Sequence, residues 1–201
     1  MIIRLIHGIH SPEGNNNITA FAPVLQHALP GARVEIFSYG FMGFWQARWQ
    51  NDEVAHRLAR VKQNNTGEKE IWVTHSNGAA IAYIAATKYN GAPNAIFNFN
   101  PALDRWRVAP VSHVETIHSD QDRAVDLARF LPLHIWGDQG KVGIKATLFN
   151  AVEHDRFVCH NATRIPGFMA YRGHTGAFAP SRRREWAYFL ANRIDEILPR
   201  I

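Results

Sequence analysis

Several absences in the sequence each remove a class of protein. Only one of the 201 residues, Cys159, is a cysteine, so neither an intramolecular disulfide nor a thiolate-rich metal site is possible. No stretch approaches the roughly 18 apolar residues that a membrane span requires. The opening run, Met1-Ile2-Ile3-Arg4-Leu5-Ile6-His7-Gly8, carries a charge inside a short apolar segment and lacks a small-residue cleavage site, unlike a signal peptide. Together these features predict a cytoplasmic protein with no membrane span. There is no internal repeat, low-complexity segment or Pro/Ser-rich linker. Lys and Arg total 22 against 17 acidic residues, a net charge of +5, yet no basic tract gathers that charge into a nucleic-acid footprint. His7, His10, His118, His154 and His160 have no H-E-x-x-H or similar spacing, so neither a metal nor a diffusible cofactor is expected.

What is present is an ordinary globular balance, with 46% hydrophobic and 19% charged residues, in a length that suits one domain over 1–201. Short runs rich in β-branched and aromatic residues read as strands at 2–6, 33–37, 70–74, 95–99 and 113–117. Between them, helical spacing predicts helices near 19–29, over a stretch that includes 52–63, in the alanine-rich stretch after Ser76, and over 182–198. Thr19 would cap the first, placing Pro23 in its first turn. Such alternation predicts an α/β fold, a mostly parallel central sheet with helices on both faces. Residues 131–170 break the rhythm and read as a lid or excursion, with a further strand near 157–160.

Three strand ends and one loop carry candidate chemistry. In 70-EIWVTHSNGAAIAY-83 a β-rich run leads into Ser76, and Gly78 and a small-residue helix follow at once. A strand-to-helix turn of this kind strains its central serine and lifts the hydroxyl above the sheet edge. The helix start behind it offers backbone N–H groups to a developing oxyanion. The second, 2-IIRLIHGIHSPEG-14, runs a strand into His7-Gly8. In the third, 113-HVETIHSDQDRAV-125, Asp120 and Asp122 follow a strand; either could cap the next helix, and Asp104 is a more distant acid. In the last, 170-AYRGHTGAFAP-180, His174 lies between glycines before the final helix, where a mobile general base can sit.

Thr74-His75-Ser76-Asn77-Gly78 resembles the nucleophile elbow, Gly-x-Ser-x-Gly, of the α/β-hydrolase family. Thr74 departs from it, standing where the family usually has glycine. The chain order Ser76, Asp122, His174, with His-Gly after the first strand, is also similar to that family, and the resemblance spans the chain apart from 131–170. It implies a serine hydrolase of the esterase or lipase kind, with Ser76 as nucleophile, His174 as base and Asp122, rather than Asp120, orienting the histidine. The backbone amides of Ile9 and Asn77 would bind the oxyanion. The substrate would be a small-molecule, lipid or polymer ester, with amides and thioesters as alternative acyl donors.

His10, His75, Phe41, Phe44 and Trp45 are candidate substrate contacts, although the aromatic segment 39-YGFMGFWQARW-49 reads first as core packing between helices. Arg182-Arg183-Arg184 reads as a solvated face. A reading from a different class is a non-catalytic binding protein on the same fold, whose basic surface engages an anionic partner.

Overall fold

The computed structural model describes residues 1–9, 17–124, 136–144, 156–165 and 173–201. Six parallel strands form one sheet in the order β2-β1-β3-β4-β5-β6. They are β1 (Ile2–Ile6), β2 (Arg33–Phe37), β3 (Glu70–His75), β4 (Ala95–Phe99), β5 (His113–His118) and β6 (Phe157–Asn161). Among the described residues, the α-helices are α1 (Asn17–Ala28), α2 (Phe44–Asn64), α3 (Asn77–Lys88), the single turn α4 (Gln139–Val142) and α5 (Arg183–Ile197).

Side chains alternate across the central strands and divide the core in two. Ile3, Leu5, Ile71, Val73, Phe97 and Phe99 face α1 and α5, meeting Phe21, Leu25, Trp186, Leu190 and Ile194. Ile6, Trp72, Ile96 and Val114 face α2 and α3, meeting Val54, Leu58, Ile81 and Ala85. Residues throughout β1, β3, β4 and β5 are buried, as a sheet covered on both sides demands.

One expectation is corrected and two are extended. First, α1 begins at Asn17, so Pro23 lies inside the helix rather than in its first turn. It is exposed there, where the missing backbone bond faces water. Second, α2 begins at Phe44, so most of the aromatic segment 39–49 is helical. Gln46 caps that start: its side-chain oxygen accepts the Gly43 N–H at 2.6 Å. Third, the strand expected near 157–160 is β6, at the sheet edge, and α4 packs against the end of β5, where Ser119 N–H donates to the Gly140 carbonyl at 3.0 Å.

The sheet order reverses beside β1. The chain leaves β1 for β2 on one side and returns to β3 on the other. In open parallel sheets the crevice outside the strands' carboxyl ends at such a reversal is where ligands bind. Here that crevice lies between His7-Gly8, after β1, and Ser76, after β3.

Candidate active site

Ser76 joins β3 to α3 with φ 56° and ψ −123°. A non-glycine residue in this left-handed region carries strain of about 1–3 kcal/mol, tolerated only where its surroundings over-determine it. Ser76 N–H donates to the Phe99 carbonyl at 3.1 Å, and its own carbonyl accepts from Ala79 N–H at 3.1 Å and Ala102 N–H at 3.0 Å. Two glycines make the junction possible. A Cβ on Gly78 would lie 2.5 Å from the Ile6 carbonyl oxygen, and one on Gly8 would lie 2.8 Å from Ser76 Cβ. Thr74, the departure from the elbow pattern, is fully buried, and its hydroxyl donates to Asn98 Oδ1 at 2.6 Å. Its added bulk and polarity are absorbed by β4.

Of the aspartates after β5, Asp122 meets the histidine. Its carboxylate is fully buried, and Oδ2 accepts from His174 Nδ1 at 2.7 Å and from Asn100 Nδ2 at 2.9 Å. Oδ1 accepts the Ala124 N–H at 3.0 Å. With Nδ1 donating, the neutral imidazole keeps Nε2 as its basic atom. Asp120 is exposed and turned elsewhere: it accepts from Thr163 Oγ1 at 2.6 Å and Asn161 Nδ2 at 3.4 Å. Asp104 is ion-paired with Arg107 at 3.2 Å.

His75, the neighbour of Ser76, contacts the His174 loop. Its Nε2 lies 3.0 Å from the His174 carbonyl, which can only accept, and the two rings are 4.7 Å apart. Burial, then the neighbouring His174, pushes the His75 imidazole down to about 3, so it is a neutral donor. Read from sequence as a substrate contact, His75 is 5% exposed and braces the His174 loop instead. Among the described residues, the hydrogen bonds of His174 run to Asp122 and His75 and none runs to Ser76. Catalytic hydrogen bonds in unliganded sites are often long and tighten with substrate.

The loop after β1 is clamped from β2. The Tyr39 hydroxyl lies 2.7 Å from the His7 carbonyl and 3.0 Å from the Gly8 carbonyl, and its ring stacks on His7 at 3.9 Å. Burial pushes the Tyr39 phenol well above its ordinary value, keeping its proton available to those acceptors. Ile9, which follows, is half-buried against the second core cluster. Asn77, the residue after Ser76, is fully buried.

Phe41 and Trp45 are 59% and 62% exposed. Phe44 instead packs inward on Trp136 at 4.2 Å. His10 lies outside the described residues. The sequence reading missed Tyr39, Asn51, Asn100 and Trp136. One signal was available for Asn51, a polar residue at helical spacing with Ala47, Val54, Ala55 and Leu58 on the buried face of α2. Another was available for Asn100, which follows a strand directly and adopts φ 46°, a conformation asparagine tolerates better than most residues. Among the described residues no helix is long and apolar enough to cross a membrane, and no cluster of His, Cys, Asp and Glu is arranged to hold a metal.

An all-parallel sheet flanked by helices, with a strained serine at its point of strand reversal, defines the α/β-hydrolase fold, and solved structures show that fold in this chain. An esterase, PE8, is 18% identical with a TM-score of 0.56, over 95% of this chain and 91% of the esterase. A serine hydrolase without a lid from Xanthomonas campestris is 15% identical with a TM-score of 0.57, over 98% and 83% of the two chains. A dienelactone hydrolase from Anabaena variabilis is 14% identical with a TM-score of 0.57, over 97% and 85%. No protein-family model matches the sequence, and no curated protein matches it significantly.

Proposed function

We propose that the protein is a serine hydrolase of carboxylic esters, with Ser76 as nucleophile, His174 as general base and Asp122 as its orienting acid. The observation that carries this reading is the 2.7 Å contact between His174 and the buried Asp122, with the His174 backbone held by His75, the neighbour of the strained Ser76. A serine hydroxyl is a poor nucleophile near neutral pH. His174 Nε2 takes its proton as Oγ attacks the ester carbonyl, and the negative charge that develops on the carbonyl oxygen is met by the Ile9 and Asn77 amides. Such a donor contributes about 3–4 kcal/mol to the transition state. Collapse expels the alcohol, protonated by His174, and leaves Ser76 acylated. Water activated by the same histidine then releases the acid.

The esterase and serine-hydrolase neighbours support an ester, and the exposed Phe41 and Trp45 offer apolar contacts to its acyl or alcohol part. The test is turnover of p-nitrophenyl esters of graded chain length beside a matched anilide and thioester. The proposal expects ester turnover, lost to background in Ser76→Ala with the circular dichroism spectrum unchanged. Turnover retained in Ser76→Ala would overturn it. So would a wild-type protein that is inert to all three donors and binds polyanions salt-sensitively.

A further inference from the structure

A pair of asparagines lies behind the elbow, buried in the contact between α2 and α3. Asn51 Nδ2 donates to Asn77 Oδ1 at 2.9 Å, and Asn77 Nδ2 donates back to Asn51 Oδ1 at 2.8 Å. Trp136 Nε1 donates to the same Asn77 oxygen at 2.8 Å, and Met42 Sδ lies 3.7 Å from Asn77 Nδ2. The Asn77 carboxamide thus has two donors on its oxygen and two acceptors for its NH2 group, its full capacity. Neither asparagine is more than 6% exposed.

We propose that Asn51 is a positioning residue for the oxyanion site, acting through the Asn77 side chain to fix the peptide between Ser76 and Asn77. This rests on the serine-hydrolase reading above. The first N–H groups of a helix have no partner within it, so the α3 ladder does not itself aim the Asn77 amide. The Ser76 carbonyl, at the other end of the same peptide, accepts from Ala79 N–H and Ala102 N–H, which holds the plane of that peptide. Where the peptide stands also depends on where the first residue of α3 lies against α2. A carboxamide held at both ends fixes that position. Two amides buried in an otherwise apolar helix contact are costly unless fully paired. Ordinary packing of α2 on α3 does not require them.

The test compares wild type with Asn51→Ala and Trp136→Phe, the latter removing one hydrogen bond to Asn77 while keeping an aromatic ring. Each is assayed with p-nitrophenyl acetate and with phenylboronic acid, whose tetrahedral serine adduct places an oxygen at the oxyanion position. In Asn51→Ala, kcat should fall about ten- to a hundred-fold, the cost of misplacing one donor. KM should stay within about threefold, and the boronate inhibition constant should rise by the same factor as kcat falls. Trp136→Phe should move kcat and the boronate constant the same way by a smaller factor, and it decides the matter alone if Asn51→Ala does not fold. Unchanged kcat, or a lower kcat with undiminished boronate affinity, overturns the proposal. Failure of the underlying reading looks different: wild type itself would neither turn over the ester nor react at Ser76 with a fluorophosphonate.

Discussion

Two aspartates stand two residues apart after β5, and their surroundings give them opposite characters. Asp122 is sealed from water and holds His174, while Asp120 is exposed and tied to Thr163. Replacing Asp122 with Asn should therefore reduce kcat by about 10³–10⁴-fold, since an amide no longer favours the tautomer that leaves Nε2 basic. Asp120→Asn should stay within about threefold of wild type, since an exposed polar group seldom matters to a site it does not touch. Ester kinetics on the two variants check this, and the reverse ranking would move the acid. Ser76, Asp122 and His174 stand out in the sequence because each sits in its own local pattern, a strand-to-helix turn, a strand end and a glycine-flanked loop before the last helix. Asn51, Tyr39 and Trp136 do not. Their roles come from partners 26, 32 and 59 positions away in the chain, and no local pattern records such a pairing.

At the scale of elements, the junction of β1, β3 and α3 sets the geometry. The start of α3 presses on the end of β1, and Gly78 is the point of contact. Gly78→Ala would drive a methyl group into the Ile6 and His7 carbonyls, and overpacking of this kind costs about 1–3 kcal/mol. A denaturant midpoint lowered by that free energy divided by the m-value is expected, and an unshifted midpoint would show the junction to be looser than described. The strands were readable because central parallel strands are near-continuous apolar runs. Helix starts were harder to read. Gly40 and Gly43 with Trp45 and Trp49 look like loop composition, and the helix there is decided by the Gln46 cap and by Phe44 packing on Trp136. β6 was only half visible because none of its residues is buried and no continuous apolar run marks it.

At the scale of the molecule, buried histidines link stability to pH. Burial pushes His118 from its ordinary 6.5 to about 4 and His75 to about 3. Below pH 6.5 the unfolded chain takes up protons that the folded protein refuses, so stability is full above that value and falls as pH drops toward 4. Glu115 extends the decline. Burial alone would raise it, but hydrogen bonds from His113, His160 and Arg193 outweigh this and bring it down to about 2, so its contribution fades from 4.5 downward. Melting temperatures of wild type and His118→Gln between pH 7.5 and 4.5 test this. The variant's curve should fall less steeply, and parallel curves would remove His118 from the account.

The central claim is that one serine among the described residues is chemically activated. Fluorophosphonate treatment followed by peptide mass spectrometry, on wild type and Ser76→Ala, measures it most directly. The account predicts one adduct, on the peptide bearing Ser76, and none in the variant. An adduct elsewhere, or a folded wild-type protein that takes up no label, would contradict it.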